Sequence, residues 1–239
     1  MRRLVAVLVL ILVLVALFMS SASVTGKELE GKRVLMVVAP EGYKEEELSV
    51  PSGIFKDSGA EVVVASTRRG IARGMSGGEV AVNLSVSDVN ISDYDAIVIV
   101  GGVGSMKYLW DDSDLRDMVR AAHDNHKTVA AICLSPVVLA RAGILRDKEC
   151  TAFVTAKEEL IKNGGMYRDA GVVVSGNIVT AKGPEYAREF AMAVSDVMLN
   201  RSSSRPYEMP SPEPEGFVTS LVAVAIAVVS VLFALRLRR

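Results

Sequence analysis

Four short runs along this chain are apolar almost without interruption: Arg33–Ala39 (RVLMVVA), Glu61–Ala65 (EVVVA), Ala96–Val100 (AIVIV) and Thr128–Ile132 (TVAAI). They do not alternate polar with apolar, so each is a strand covered on both faces. Strands of that kind occur in parallel sheets, where each connection must cross over the sheet. The stretches between them supply the crossovers. Glu46–Asp57 reads as a helix whose start is broken by Pro51, and Ser113–Asn125 as an amphipathic helix capped by Asp112 or Ser113. Arg68–Gly78 reads as a Gly- and Arg-rich loop and Glu79–Asn83 as a short strand. Further on come a short helix Pro136–Ala142 stopped by Gly143, a strand Cys150–Val154 and a helix Lys157–Asn163. A hairpin of Gly171–Ser175 with Ile178–Ala181 turns at Gly176-Asn177, and Glu185–Leu199 is the last helix. The alternation predicts a doubly wound α/β domain, a mainly parallel sheet sandwiched by helices. Function in such sheets collects at the carboxyl ends of the strands.

The ends of the chain are different. Met1-Arg2-Arg3 is followed by unbroken apolar sequence from Leu4 to Met19 and then by Ser20-Ser21-Ala22-Ser23, so residues 1–26 read as a signal peptide or an N-terminal membrane anchor. Phe217 to Leu235 carries no charge and is closed by Arg236-Leu237-Arg238-Arg239, the pattern of a transmembrane helix (217–235) with a basic cytoplasmic tail (236–239). Between domain and helix, residues 201–216 (RSSSRPYEMPSPEPEG) form a Pro-, Ser- and Glu-rich stalk. One domain, 27–200, remains.

Charge agrees with this layout. The chain has 27 basic and 28 acidic residues, and five of the basic ones are the terminal arginines, which leaves the rest at −6. Positive flanks prefer the cytoplasm, so the α/β domain is expected outside it, at the cell membrane. Asn83, Asn90 and Asn200 each open an Asn-X-Ser sequon that would be available for glycosylation there. The charge balance excludes a generally basic nucleic-acid binder. Two cysteines exclude a disulfide-dense scaffold and a four-thiolate zinc site, and no metal or cofactor is expected.

Chemistry converges on Cys133. In Ala130-Ala131-Ile132-Cys133-Leu134-Ser135-Pro136 it stands where a buried strand turns into a helix, the geometry that exposes a nucleophile at a sheet edge. Helix-terminal amides would lower its pKa, and the Leu134 amide would face a developing oxyanion. A buried structural cysteine fits the same spacing. Gly101-Gly102-Val103-Gly104 follows another buried strand on the same edge and either lets a backbone amide approach a ligand or simply makes a tight turn. Glu45-Glu46-Glu47 follows the first strand, and the residues alone do not say which of the three turns inward. His123 and His126 precede the Thr128 strand and therefore lie at its other end, roughly 20 Å from Cys133.

The order of strand 33–39, Glu47 four residues before Pro51, Gly101-Gly102, AAICLSP, NGG at 163–165 and VVVSGNIVTAKGP at 172–184 resembles the ThiJ/PfpI family over residues 32–199. That family includes cysteine-peptidase-like proteins, glyoxalases and a deglycase linked to Parkinson disease. The resemblance implies a flavodoxin-like fold of the class I glutamine amidotransferase type and a homo-oligomer. It also implies that Cys133 is the reactive cysteine, Glu47 its acidic partner, and Gly102 and Leu134 the oxyanion-binding residues. Two departures stand out. Peptidase-type members carry His directly after the cysteine, where this chain has Leu134. Deglycase-type members place one near Thr151-Ala152-Phe153-Val154, and none is there. The leading expectation is action on small carbonyl compounds or carbonyl-modified protein. The alternatives are a redox sensor or binding module, a peptidase-like hydrolase completed by a neighbouring subunit, and a structural Cys133–Cys150 disulfide.

Overall fold

The computed structural model describes residues 27–201. The leader or anchor read over 1–26, the stalk beyond Arg201, the membrane helix at 217–235 and the tail at 236–239 all lie outside the described residues. Among the described residues no helix is long and apolar enough to cross a membrane.

In chain order the elements are β1 (Arg33–Val37), β2 (Glu41–Tyr43), α1 (Glu45–Asp57), β3 (Glu61–Ser66), β4 (Gly70–Gly74), β5 (Glu79–Val82), β6 (Leu84–Ser85), β7 (Ala96–Ile99), α2 (Val103–Tyr108) and α3 (Ser113–Asp124). There follow β8 (Thr128–Ile132), α4 (Pro136–Arg141), β9 (Glu149–Cys150), α5 (Lys157–Lys162), β10 (Met166–Tyr167), β11 (Val172–Ser175), β12 (Ile178–Ala181) and α6 (Ala187–Met198). The main sheet runs β11-β12-β8-β7-β1-β3-β6. Every neighbouring pair is parallel except the β11–β12 hairpin at one edge. Helix α1 packs on α6, α3 on α4 and α4 on α5, and both α6 and α3 touch β8. The central strands β7 and β8 are buried at every residue, which is why their sequences are unbroken apolar runs.

Several local expectations change. Pro51 lies inside α1 and does not break its start. Its missing N–H leaves the Glu47 carbonyl, four residues back, without the usual helical partner. The Gly- and Arg-rich stretch 68–78 contains β4, which pairs antiparallel with β5 and parallel with β2 in a small second sheet. Ala72 of β4 faces inward while Ile71 and Arg73 face out, so a strand buried on one side only was hidden by its polar composition. The strand expected over 150–154 is only β9. Beyond it the Thr151 N–H goes to the Thr180 hydroxyl and the Phe153 N–H to the Cys133 carbonyl, so these amides leave the strand ladder. The last helix begins at Ala187, after a single 3-10 turn at Pro184–Tyr186.

The first and last described segments meet. Leu29 N–H donates to the Ser58 carbonyl and Glu61 N–H to that of Lys32, while Arg201 pairs with Glu28 at 2.9 Å. This junction sits beside the amino ends of β1 and β3. Cys133 lies past the carboxyl end of β8, at the opposite edge of the sheet.

Candidate active site

Strand β8 delivers Cys133 into a conformation side chains rarely adopt, with φ +62°. Holding a residue with a β-carbon there costs about 1–3 kcal/mol, so the surroundings must fix it. They do so through its backbone: Cys133 N–H donates to the Ala181 carbonyl of β12, and its own carbonyl accepts the Phe153 N–H, both at 2.9 Å. The chain then turns through Leu134-Ser135 into α4, which has Pro136 at its first position. Cys133 is 8% exposed, so its thiol is largely withdrawn from water.

The three glutamates separate cleanly. Glu45 caps the β4–β5 turn, its Oε1 accepting the Ser76 N–H at 2.6 Å and the Gly78 N–H at 3.2 Å. Glu46 pairs with Lys44 at 3.0 Å on the surface. Glu47 alone turns inward and is fully buried. Its Oε2 accepts the Gly101 N–H at 2.9 Å, its Oε1 has no directed hydrogen-bond partner, and the carboxyl is coupled to the Cys133 thiol beside it.

The glycines are required here by close approach. A β-carbon on Gly101 would stand 2.6 Å from Glu47 Oε2 and 2.7 Å from the Cys133 β-carbon. On Gly102, at φ +98°, it would stand 2.4 Å from the Gly42 carbonyl oxygen. With those side chains absent, the backbone N–H groups of Gly102 and Leu134 come near enough to the Cys133 sulfur to favour its thiolate. Cys133, Glu47, Gly102 and Leu134, separated by up to 87 positions in sequence, are thus brought together at one sheet edge.

Burial pushes the Glu47 carboxyl up to about 7, against the Gly101 N–H, the thiol and the Lys44 charge, which favour the anion. Burial, and then the nearby Glu47 charge, push the Cys133 thiol up to about 12. The sequence expectation of a depressed thiol pKa is therefore corrected. The two amides do pull it down, but α4 is only six residues long, and desolvation and the carboxylate outweigh them. A carboxylate beside the sulfur opposes the thiolate, whereas a neutral carboxyl does not and can donate to it. The two groups titrate as a pair.

No histidine reaches the thiol among the described residues. His123 and His126 flank the amino end of β8, Leu134 follows Cys133 directly, and the 151–154 segment beside the Cys133 carbonyl carries none. Cys150 is buried and both cysteines are free, so the disulfide reading falls. No cluster of metal-ligating side chains occurs among the described residues. Trp110 and the Ser105–Ser135 pair also contact the turns that carry Gly102 and Leu134, and neither was singled out in the sequence. A lone tryptophan or serine near a turn gives no pattern to read.

The model of the DJ-1/PfpI family matches residues 32–196. The uncharacterized protein MJ0967 of Methanocaldococcus jannaschii is 44% identical over 196 residues, 81% of this chain and 96% of its own. A Pyrococcus horikoshii protein named a deglycase is 34% identical over 162 residues, 66% of this chain and 96% of its own. Among solved structures, a ThiJ/PfpI domain protein from Brachyspira murdochii superposes with a TM-score of 0.68 at 36% identity, covering 72% of this chain and 98% of that one. With the strand-to-helix cysteine, the inward glutamate and the glycine turn in place, the chain belongs to the DJ-1/PfpI family.

Proposed function

We propose that the protein is a cysteine-dependent enzyme acting on small carbonyl compounds, such as 2-oxoaldehydes, or on proteins modified by them. The observation that carries this reading is the convergence of the Cys133 thiol, the Glu47 carboxyl and two backbone N–H donors on one point. The Pyrococcus relative named a deglycase supports it. In the first step the sulfur attacks the aldehyde carbon and the thiol proton passes to Glu47 carboxylate. The carbonyl oxygen gains the electron pair and accepts from the Gly102 and Leu134 amides until Glu47 returns the proton, giving a hemithioacetal. A carboxyl poised near 7 exchanges that proton at neutral pH, so the pair can work without histidine. Amide hydrolysis needs a base at the thiol that also protonates the leaving amine and activates the deacylating water, and with no histidine there among the described residues it is not favoured by this arrangement. Purified protein should consume methylglyoxal, and Cys133→Ala should lose at least 90% of that rate; equal rates in the two would overturn the reading.

The same proposal holds the domain outside the cytoplasm at the cell membrane through the apolar 217–235 segment, as a homo-oligomer. The arginine flanks and the acidic balance of the rest support the orientation. The alignment to the Methanocaldococcus protein covers more of the chain than residues 27–201, so it takes in part of at least one terminal segment. The full chain should stay with membranes through alkaline carbonate extraction and a chain of residues 27–201, lacking both apolar segments, should not.

A second reading, reversible oxidation of Cys133 as a sensor, is favoured by the absence of a histidine at the thiol among the described residues. Mild peroxide should then oxidise Cys133 before Cys150, with both followed by mass spectrometry. Indifference of Cys133 would remove this reading.

A further inference from the structure

Two turns carry the N–H donors that face Cys133, and they come from different parts of the chain. One is Gly101-Gly102, leading into α2; the other is Cys133-Leu134-Ser135, leading into α4. Nothing in the main sheet fixes one turn against the other beyond the ends of β7 and β8. Two side-chain contacts do so. The indole N–H of Trp110, just after α2, donates to the Leu134 carbonyl at 2.8 Å in a buried bond. The Ser135 hydroxyl donates to the Val100 carbonyl at 2.7 Å. Because that uses its single proton, the 2.8 Å contact with Ser105 must have Ser105 as donor. The Val100–Gly101 peptide is then held at both faces, since its N–H donates to Glu47 while its carbonyl accepts from Ser135.

Trp110 is itself held. The Arg141 guanidinium lies 5.0 Å from its ring centroid. Arg141 is in turn tied to Asp111 at 2.6 Å and Glu159 at 2.9 Å. Indole, guanidinium and two carboxylates thus form a stack that backs the elbow from α2, α4 and α5. This is more than filling of the core, because a phenyl ring would fill the space without reaching the Leu134 carbonyl.

We propose that Trp110 is a positioning residue that, with Ser135, braces the elbow against the glycine turn and keeps the Leu134 and Gly102 N–H groups aimed at the Cys133 sulfur. This deepens the reading of Cys133 as the reacting group and rests on that reading. Loss of the indole N–H frees the Leu134 carbonyl, lets the elbow peptides rotate and removes stabilisation from the thiolate. The reactivity of the sulfur therefore falls even where the fold persists.

The test uses alkylation by iodoacetamide, which needs the thiolate but no substrate chemistry. In a Cys150→Ala background, the rate at Cys133 is followed by mass spectrometry from pH 6 to 11. Trp110→Phe should react about tenfold more slowly at neutral pH, with its profile displaced upward by about one pH unit. Arg141→Met should slow it about twofold, since the hydrogen bond stays while its backing goes. A folded Trp110→Phe protein with an unshifted profile would overturn the proposal. Should that variant fail to fold, the unsubstituted protein still decides. Trp110 is its one tryptophan, and its emission should change with the same rate constant as the mass gain at Cys133; emission blind to alkylation would overturn the brace. Methylglyoxal turnover is measured alongside. A protein inert to methylglyoxal but showing the displaced profile would end the carbonyl reading and leave the brace standing.

Discussion

A carboxyl group held out of water beside a thiol has a thermodynamic signature of its own. Unfolded Glu47 ionises near its ordinary value of 4.5, while in the fold it keeps its proton up to about 7. The folded state therefore binds more protons between those values, and stability is lost as pH rises through that window. The displacement corresponds to about 3 kcal/mol of destabilisation, present at pH 8 and absent below pH 4.5. Glu47→Gln should accordingly raise the melting temperature at pH 8 and leave it little changed near pH 4, while lowering methylglyoxal consumption at least tenfold. A melting difference that is the same at both pH values would show that the carboxyl is not the strained group. The Cys133 thiol, pushed up to about 12, adds a similar penalty only in alkaline solution, above the ordinary range of a thiol. At this scale the sequence is mute in a specific way. Glu45, Glu46 and Glu47 differ by one helical step each, and what distinguishes their surroundings is the turn at 76–78, the Lys44 ammonium and the amide of Gly101.

Elements whose burial is uniform are the ones that could be read directly. Strands β7 and β8 are covered on both sides, so their composition alone identifies them, and the observed β8 spans Thr128–Ile132 as its sequence indicates. The amphipathic α3 carries its cap in the sequence, with Asp112 Oδ1 accepting the Leu115 N–H at 2.8 Å. Legibility fails where an element depends on a distant partner. The strand character of β4 comes from pairing with β2 and β5, and the helical turn α2 forms against β2, which is itself only three residues long. The glycine turn is readable as a close approach but not as a neighbour of the sulfur, because that role needs the elbow on the neighbouring strand. Gly102→Ala tests the turn as an element. The new methyl would meet backbone at 2.4 and 2.6 Å and the residue would sit at φ +98°, so the loop must move. The expected result is loss of at least 90% of Cys133 alkylation at neutral pH, with the melting temperature lowered; retention of full reactivity would mean the Gly102 amide is not part of the site.

Across the whole molecule the sheet has two working edges. The carboxyl edge holds the chemistry, and the amino edge holds the meeting of the first and last described segments. The Glu28–Arg201 pair that marks this meeting is about half exposed on both sides, so Glu28→Ala should alter unfolding free energy by less than about 1 kcal/mol in a denaturant titration. Each segment keeps its own anchorage without that pair, the first through the Leu29–Ser58 and Lys32–Glu61 backbone bonds and the last through the packing of α6 on α1. It has an architectural consequence. A domain whose chain enters and leaves at one spot is an inlay: it can be set into a longer polypeptide, or joined head to tail by a short linker, without opening the sheet. Both points of attachment, at the two ends of the described residues, lie at the edge of the sheet remote from Cys133, so a linker or label placed there starts on the side away from the chemistry.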